Sequence, residues 1–204
     1  MNVRRRTPSI VLGIAAAGLL IAGCSSSPPP PRQSADSSDS PSSSPTSSSA
    51  SAPHVAKPLD TSKFQAAPCT MLQSAQLQQF GLSTPGDPKA DATGPNCHWS
   101  NLDSGVSLDV GFVTGNKDGL SALYGKRSSL DLFTVLPDID GYPAVIYGVT
   151  DNRSRGTCNV DVGVSDSLNF DAMVQAANGP LKSDPCSAAK QIAGMVVKTL
   201  AGGS

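Results

Sequence analysis

In the C-terminal two thirds of the chain, apolar and polar residues alternate along several short stretches. Between residues 106 and 112 every second side chain is apolar, which is the period of a strand with one buried face. The same signal, or a run of β-forming residues, predicts further strands at residues 97–100, 144–149, 158–164 and 168–174. Residues 130–136 are apolar and β-rich, whereas residues 83–95 are rich in Gly, Pro and Asp and predict a loop.

The end of the chain has the period of a helix instead. Asp184 can cap this helix, Pro185 can occupy its first turn, and the glycines at 202 and 203 end it. Its apolar face consists of Ala189, Ile192, Ala193, Val196, Val197 and Leu200. Shorter helical segments are predicted at residues 68–72, at residues 75–80 and after Asp118.

Together these elements predict an α+β fold. We expect a mostly antiparallel sheet of about five strands, with the helices packed on one face and two disulfides. The other face is polar, so it should contact either water or a partner. This face carries Ser107, Asp109, Asn159 and Asp161.

Residues 1–23 have the layout of a secretory signal peptide. Three arginines precede an apolar run of about 13 residues, which is shorter than the roughly 20 residues of a membrane-spanning helix. The run closes on small residues followed by Cys24, which predicts a lipobox. Cleavage would then follow Gly23, and the Cys24 thiol would carry a diacylglyceryl group. Arg4 and Arg5 could indicate twin-arginine export, but no hydrophobic residue follows them at the expected place. The general secretory route is therefore favoured.

The composition divides the rest of the chain in two. Residues 24–59 comprise the lipidated Cys24 and a Ser/Pro-rich linker, which has too few apolar residues to offset the entropy of ordering and should be disordered. His54 lies in this linker and is not expected to bind a ligand. Residues 60–204 form a single domain of ordinary size.

Charge excludes one class of partner. The precursor has 15 basic and 16 acidic residues, and signal removal takes three arginines away, so the mature chain is mildly acidic. Nucleic-acid binding requires a basic stripe, which is missing, so no nucleic acid is expected. Attachment to the membrane would rest on the acyl anchor, because no polybasic segment assists it.

The number of cysteines agrees with a lipidated, exported chain. With Cys24 used by the anchor, four remain in an exported domain, which implies two disulfides with three possible connectivities. Equal spacing favours Cys69–Cys97 and Cys158–Cys186, because each pair then joins a helix start to a strand start. Pairing of Cys69 with Cys186 is the alternative. A redox or nucleophilic thiol is disfavoured because there is no C-x-x-C motif.

An ordered series of short motifs resembles a known family. The series comprises Pro68-Cys69-x-x-Leu72, Phe80-Gly81-Leu82, Cys97-His98-Trp99, Gly141-Tyr142-Pro143-Ala144, Cys158-x-Val160-x-Val162 and Asp184-Pro185-Cys186-x-x-Ala189. It is similar to secreted actinobacterial, mycobacterial-type lipoproteins that carry a conserved domain of unknown function after a lipobox and a Ser/Pro linker. The resemblance implies an envelope location and supports the favoured disulfides. It implies no reaction.

Candidate binding residues are few. They are His98, Trp99, Tyr142 and Tyr147, for each of which a purely structural role is the alternative. The Asp138-x-Asp140-Gly141 stretch lacks the further acidic residues of a calcium loop and predicts a turn. No catalytic residue, metal site or cofactor is predicted, because no nucleophile, phosphate-loop or paired-carboxylate motif is present.

Three functional hypotheses follow. The first is a non-catalytic, lipid-anchored binding or accessory module at the outer face of the cytoplasmic membrane, with an envelope protein, glycan or lipid as partner. The second is a carrier of envelope lipid or glycolipid, which needs an apolar cavity between the sheet and the last helix. The third is a cell-wall hydrolase or transferase, which needs His98 to converge with Asp103, Asp109 or Asp161.

Overall fold

A computed structural model describes residues 51–202, and the predicted signal peptide and Cys24 lie outside these residues. Seven strands form one sheet in which every neighbouring pair is antiparallel. The strands are β1 (Asp87–Ala90), β2 (Pro95–Asn101), β3 (Val106–Val113), β4 (Leu132–Val135), β5 (Ala144–Gly148), β6 (Thr157–Ser165) and β7 (Leu168–Ala176). Their order across the sheet is β1-β2-β3-β7-β6-β5-β4.

The prediction of about five strands was wrong, because neither edge strand shows the alternation of apolar and polar residues that marks the central ones. Strand β1 lies inside the predicted loop, contains Pro88 and is exposed at all four positions, so it shows no alternation. It forms because its backbone pairs with β2, which places Pro88 opposite Cys97. Strand β4 has only four residues, too few for a period of two to be distinguished from a short apolar run.

Helix α5 (Pro185–Leu200) covers one face of the central strands β6 and β7. Its start is as predicted, since the Asp184 carboxylate accepts a hydrogen bond from the Ser187 N–H at 3.0 Å and Pro185 lies in the first turn. The apolar face of α5 is fully buried against β6 and β7. Burial of each large aliphatic side chain contributes about 1.5–3 kcal/mol, so this contact forms the main core.

Two disulfides join elements on the α5 side to the sheet, and they have the pairing that the equal cysteine spacing favoured. Cys69 lies in a 3-10 turn, Pro68–Met71, and bonds to Cys97 of β2, while Cys158 of β6 bonds to Cys186 of α5. Each closes a loop with a sequence separation of 28 residues, for which the chain-entropy model gives about 3.6 kcal/mol. Two short helices flank the 3-10 turn, α1 (Ser62–Ala66) and α2 (Ser74–Gln78).

The helices do not all pack on one face, which corrects a second expectation. Helix α3 (Ser121–Lys126) lies on the opposite face, where Leu120 and Tyr124 form a separate apolar cluster with Val145. The Tyr124 ring meets Phe133 edge-on, with 5.1 Å between ring centroids. A fourth short helix, α4 (Gly179–Ser183), precedes α5. None of the described helices has the length and apolar character needed to cross a bilayer.

Residues 51–59, which we call the strap, pack on the domain although the composition assigned them to the linker. Val55 is only 3% exposed, so the packed part of the chain begins before the predicted residue 60. Specific hydrogen bonds hold the strap on the domain, and amino-acid composition does not reveal such bonds. The bonded pairs are Ala52 N to Ser121 Oγ, His54 Nδ1 and Val55 N to Asp166, Tyr142 Oη to Lys57 O, and Leu59 N to Val164 O.

Gly86 provides a test of the packing around Trp99. A Cβ at residue 86 would lie 2.5 Å from Trp99 Nε1 and would also clash with Cys97 Sγ. We therefore expect Gly86→Ala to lower the free energy of unfolding by about 1–3 kcal/mol, as overpacking of a core does. The measurement is the midpoint of urea unfolding.

Gly125 is the matched control. It lies within α3, and no neighbouring atom approaches within 4 Å of the Cβ position. Gly125→Ala should raise the free energy of unfolding by about 0.5–1 kcal/mol, because Ala favours a helix more than Gly does. Equal midpoints for the two variants would contradict this description of the core.

Candidate functional site

The sheet face opposite α5, here called the open face, carries a row of charged side chains across its centre. His98 on β2 lies directly opposite Asp109 on β3, and Asp171 on β7 lies directly opposite Asp161 on β6. Gly111 links the two pairs, because it is two residues after Asp109 and directly opposite Asp171. Three carboxyl groups and an imidazole from four strands therefore share one strip of the open face.

His98 and Asp109 form the outer pair of the row. His98 Nδ1 lies 2.8 Å from Asp109 Oδ1, and both side chains are between a quarter and a third exposed. A histidine oriented by a carboxylate is the arrangement that general-base chemistry uses. Of the acidic residues that the hydrolase hypothesis named, Asp109 converges with His98, whereas Asp103 lies exposed in the β2–β3 hairpin.

Asp161 and Asp171 form the inner pair, in a much less solvated environment. Asp161 is 2% exposed, which corrects the expectation that its face is wet at this point. Burial raises the pKa of Asp161 well above its usual range, and the charge of Asp171 adds to the rise. Burial also raises the pKa of Asp171 to about 7, a hydrogen bond from Tyr147 opposes that rise, and the Asp109 charge reinforces it.

Two neighbouring polar side chains form hydrogen bonds with the inner pair. The Tyr147 hydroxyl donates to Asp171 Oδ2 at 3.2 Å, and burial raises the Tyr147 pKa, so the phenol stays protonated. Asn169, which is 1% exposed, donates from Nδ2 to Asp161 Oδ1 at 2.6 Å. Among the described residues, the Asn169 Oδ1 atom has no hydrogen-bond partner.

Beside the row lies a cavity of about 280 Å³, which we call the open-face cavity. It lies over Gly111, where a Cβ would clash with the Asn96 side chain and lie 3.1 Å from Asn96 Cα, so the close approach of strand β2 requires a glycine here. Glycine in a strand interior weakens the strand and often marks a close approach of a ligand or another backbone. The walls comprise Lys89, Asp91, Thr93, Gly94, Asn96, Asp109, Phe112, Tyr147, Asp171 and Met173.

The open-face cavity can bind polar groups and can exchange protons near neutral pH. Carboxylates accept hydrogen bonds, whereas the Asn96 amide already donates to Asp91 and Gly94 and the Tyr147 phenol to Asp171. A carboxyl with a pKa near 7 serves as acid or base. Within residues 51–202, no set of three His, Cys, Asp or Glu side chains is grouped so that it could hold a metal ion.

The structure separates the four candidate binding residues into two pairs. His98 and Tyr147 lie on the open face and contact Asp109 and Asp171. Trp99 is 2% exposed in the core on the α5 side, and Tyr142 is 9% exposed and bonds to the strap. Only His98 and Tyr147 therefore belong to the candidate site.

Sequence reasoning missed Asp171, Asn169 and Asn96. The alternation of β7 does place Asp171 on the polar face, together with Asp109 and Asp161, so a common face was predictable. The proximity of Asp109 to the other two carboxyl groups was not predictable, because it depends on β7 pairing with the distant strand β3. Asn96 lies between the predicted loop at residues 83–95 and the predicted strand at residues 97–100, so neither prediction included it.

The raised pKa of Asp171 predicts how stability varies with pH. Between about pH 4 and 7 the folded state keeps a proton that the unfolded chain has lost, since the ordinary value is 3.8. Stability should therefore fall as pH rises through this window. Asp171→Asn removes the titration, so its denaturation midpoints at pH 4 and pH 8 should differ less than those of the unmodified protein.

The control for this prediction is Asp103→Asn, which removes a carboxyl from the exposed hairpin. It should retain the full difference between pH 4 and pH 8. A pH profile of Asp171→Asn that matches both the control and the unmodified protein would show that Asp171 has no unusual affinity for protons.

Comparison with curated proteins and with solved structures gives no match to this chain. Comparison with protein families gives one, a family described as a protein of unknown function (DUF3558), which matches residues 19–199. This span includes every strand of the sheet, both disulfides and the open-face cavity. The chain therefore belongs to the DUF3558 family.

Proposed function

We propose that this protein is a lipid-anchored envelope module that binds a polar envelope glycan, without catalysis, in the open-face cavity. The observation that carries the proposal is the cavity itself, which lies over Gly111 and presents carboxylate, amide and phenol groups among its lining residues. Sugar hydroxyls both donate and accept hydrogen bonds, so they match walls that combine carboxylates, an amide and a phenol. A ligand of this kind lies against the sheet without needing an apolar pocket.

The energetic cost of the inner pair supports a binding role. Asp161 and Asp171 lie opposite each other in the interior of the sheet, where desolvation disfavours their ionised forms. Apolar residues at these two positions would pack between β5 and β3 at no such cost. Strongly perturbed ionisable groups beside a cavity are typical of functional sites.

The sequence supports the anchor and the location. Residues 1–23 have the charged, apolar and small-residue regions of a signal peptide, and Cys24 follows directly. Two acyl chains on Cys24 would suffice for stable attachment. The short chain between Cys24 and the strap would keep an anchored domain near the outer face of the cytoplasmic membrane.

The carrier hypothesis receives less support. A carrier would need an apolar cavity between the sheet and α5, yet Ala193, Val196 and Val160 are all 0% exposed at that interface. Side chains without accessible surface cannot line a space that admits a lipid chain. For this reason we propose a polar ligand on the open face.

A hydrolase or transferase acting on the same glycan is the second candidate. It is favoured by one specific observation, the convergence of the His98–Asp109 pair with a carboxyl whose pKa is about 7. Pairs of carboxyl groups with separated pKa values divide the acid and base roles in glycosidases. Both candidates use the same cavity, and product formation distinguishes them.

The anchor is tested with Cys24→Ser in the full precursor. Without the thiol no diacylglyceryl group can be added, so the protein should leave the detergent phase of a Triton X-114 partition or accumulate as uncleaved precursor. Ser26→Ala, a neighbouring change that keeps Cys24, is the control and should behave like the unmodified protein. Normal signal removal with unchanged detergent partition in Cys24→Ser would contradict the anchor.

The binding site is tested by NMR titration of the domain, residues 51–204, with soluble fragments of purified peptidoglycan. We expect shifts of the backbone amides of Gly94, Gly111 and Asp171, which surround the cavity. Thr93→Trp places an indole at the cavity wall and should abolish these shifts. Thr150→Trp adds the same group at an exposed position beyond β5 and is the matched control.

Three outcomes of the titration are informative. Shifts that persist in Thr93→Trp, or that map away from the open face, would exclude the cavity as the binding site. An absence of shifts at millimolar fragment concentration would reject peptidoglycan glycan as the ligand. New fragment signals that grow with time, and that are lost in Asp171→Asn, would favour the hydrolase or transferase over the binding module.

A further inference from the structure

We propose that Asn178 is a site of spontaneous deamidation, at which water converts the side-chain amide to a carboxylate. Asn178 lies in the connection between β7 and α4, and Gly179 begins α4. This inference goes beyond the proposed function and does not depend on it. It rests on the chemistry of an asparagine followed by a glycine, and on the exposure, hydrogen bonding and free space of these two residues in the fold.

The reaction is an intramolecular acyl transfer followed by hydrolysis. The Gly179 backbone nitrogen loses its proton and attacks the Cγ atom of Asn178, so that a C–N bond forms, the Cγ–Nδ2 bond breaks, and the proton leaves with ammonia. Water then opens the five-membered imide. Opening at the Cγ–N bond gives aspartate, and opening at the original peptide bond gives isoaspartate. Proximity of the two reacting groups makes such an internal attack effective.

Both reacting groups are exposed and lack hydrogen-bond partners within the described part of the chain. The Asn178 side chain makes no capping hydrogen bond to α4. The Gly179 N–H belongs to the first turn of this helix, where N–H groups have no partner inside the helix, and it donates to no other described backbone group. Both residues are solvent-exposed, so water can reach the imide. The fold therefore protects neither the amide nor the attacking nitrogen.

Gly179 also provides the freedom that ring closure needs. Asn178 has an extended backbone, with ψ of 179°, so the ring closes only after rotation about its Cα–C bond. Gly179 has φ of 72°, which glycine adopts at no steric cost, and no atom lies within 4 Å of its Cβ position. The connection can therefore reach the closed geometry without displacing a neighbouring element.

The structure separates Asn178 from the other asparagines of the described residues. It is the one asparagine of the chain that is followed by glycine. At Asn152 the attacking group is engaged, because the Arg153 N–H donates to Asp151 Oδ1 at 3.1 Å. The remaining asparagines hold their side chains in hydrogen bonds. These are Asn96, Asn101, Asn116, Asn159 and Asn169.

Deamidation changes the charge and the backbone of the connection between β7 and α4. Either product adds one negative charge, and isoaspartate also adds one carbon atom to the backbone. The Ala177 N–H donates to Gly105 O just before this connection, and the Cys158–Cys186 bond fixes the start of α5 after it. These contacts hold the sheet and α5 on either side, so we expect the modified protein to remain folded.

Peptide mapping by mass spectrometry tests this inference on the purified full-length protein. The folded protein is incubated in H₂¹⁸O at pH 7 and at pH 9, then reduced and digested with trypsin in ordinary water. We expect the peptide of residues 156–182 to gain one ¹⁸O-labelled carboxylate, which fragmentation places at Asn178. The rate should rise several-fold from pH 7 to pH 9, because the attacking nitrogen must lose its proton.

Two variants locate the reaction. Asn178→Gln keeps an amide at this position, but its internal attack would have to form a six-membered ring, so the peptide of residues 156–182 should stay unlabelled. Asn116→Gln is the matched control, because it makes the same substitution in the loop after β3 and should leave the labelling of Asn178 unchanged.

Three results would overturn the inference. One is labelling that appears first at another asparagine of the folded protein. Another is an Asn178 amide that survives in the folded protein under conditions that convert it in the reduced, urea-unfolded chain, since this would show that the fold protects it. The third is labelling of the same peptide to an equal extent in Asn178→Gln. None of these results depends on whether the protein binds a glycan.

Discussion

The contact between α5 and strands β6 and β7 is the interaction on which the rest of the structure depends. It buries the apolar face of the helix and one whole face of the two central strands. The Cys158–Cys186 bond fixes the start of the helix to the start of β6, so the contact cannot slide along the sheet. Because this single layer supplies most of the core, the other face of the same strands is free to carry polar groups.

This division explains how the chain tolerates a costly site. Asp161 and Asp171 project from β6 and β7, whose opposite sides contain Val160, Val162 and Ala172, all 0% exposed. Hydrophobic burial on the α5 side can offset the desolvation of the inner pair on the open face. A polar cluster of this kind in an edge strand would meet solvent and lose its perturbed pKa values.

The strap and α3 limit how much of the open face a ligand can reach. Leu120 and Val55 pack over Gly163, the second glycine on this face, and Tyr124 covers the region of Val145 and Phe133. The open-face cavity remains on the side toward β1 and β2. The strap lies beside the β6–β7 turn that contains Asp166, so the strap and the open-face cavity share the same end of the sheet.

The sequence by itself determined the features that depend on neighbours along the chain. Alternation located β3, β6 and β7, and the Asp184 cap and Pro185 located the start of α5. These signals are local because backbone period and capping involve residues a few positions apart. The edge strands gave no such signal, and the strap was hidden by its composition.

Only the tertiary structure decided the site. Asp109 is far in sequence from Asp161 and Asp171, which face each other within the β6–β7 hairpin, and it joins them because β7 pairs with β3 in a fixed register. Moving the register by one residue would turn Asp171 into the core. Burial then sets the protonation of the inner pair. Pairing between distant strands and the dielectric environment it creates are collective properties, which no local pattern of residues contains.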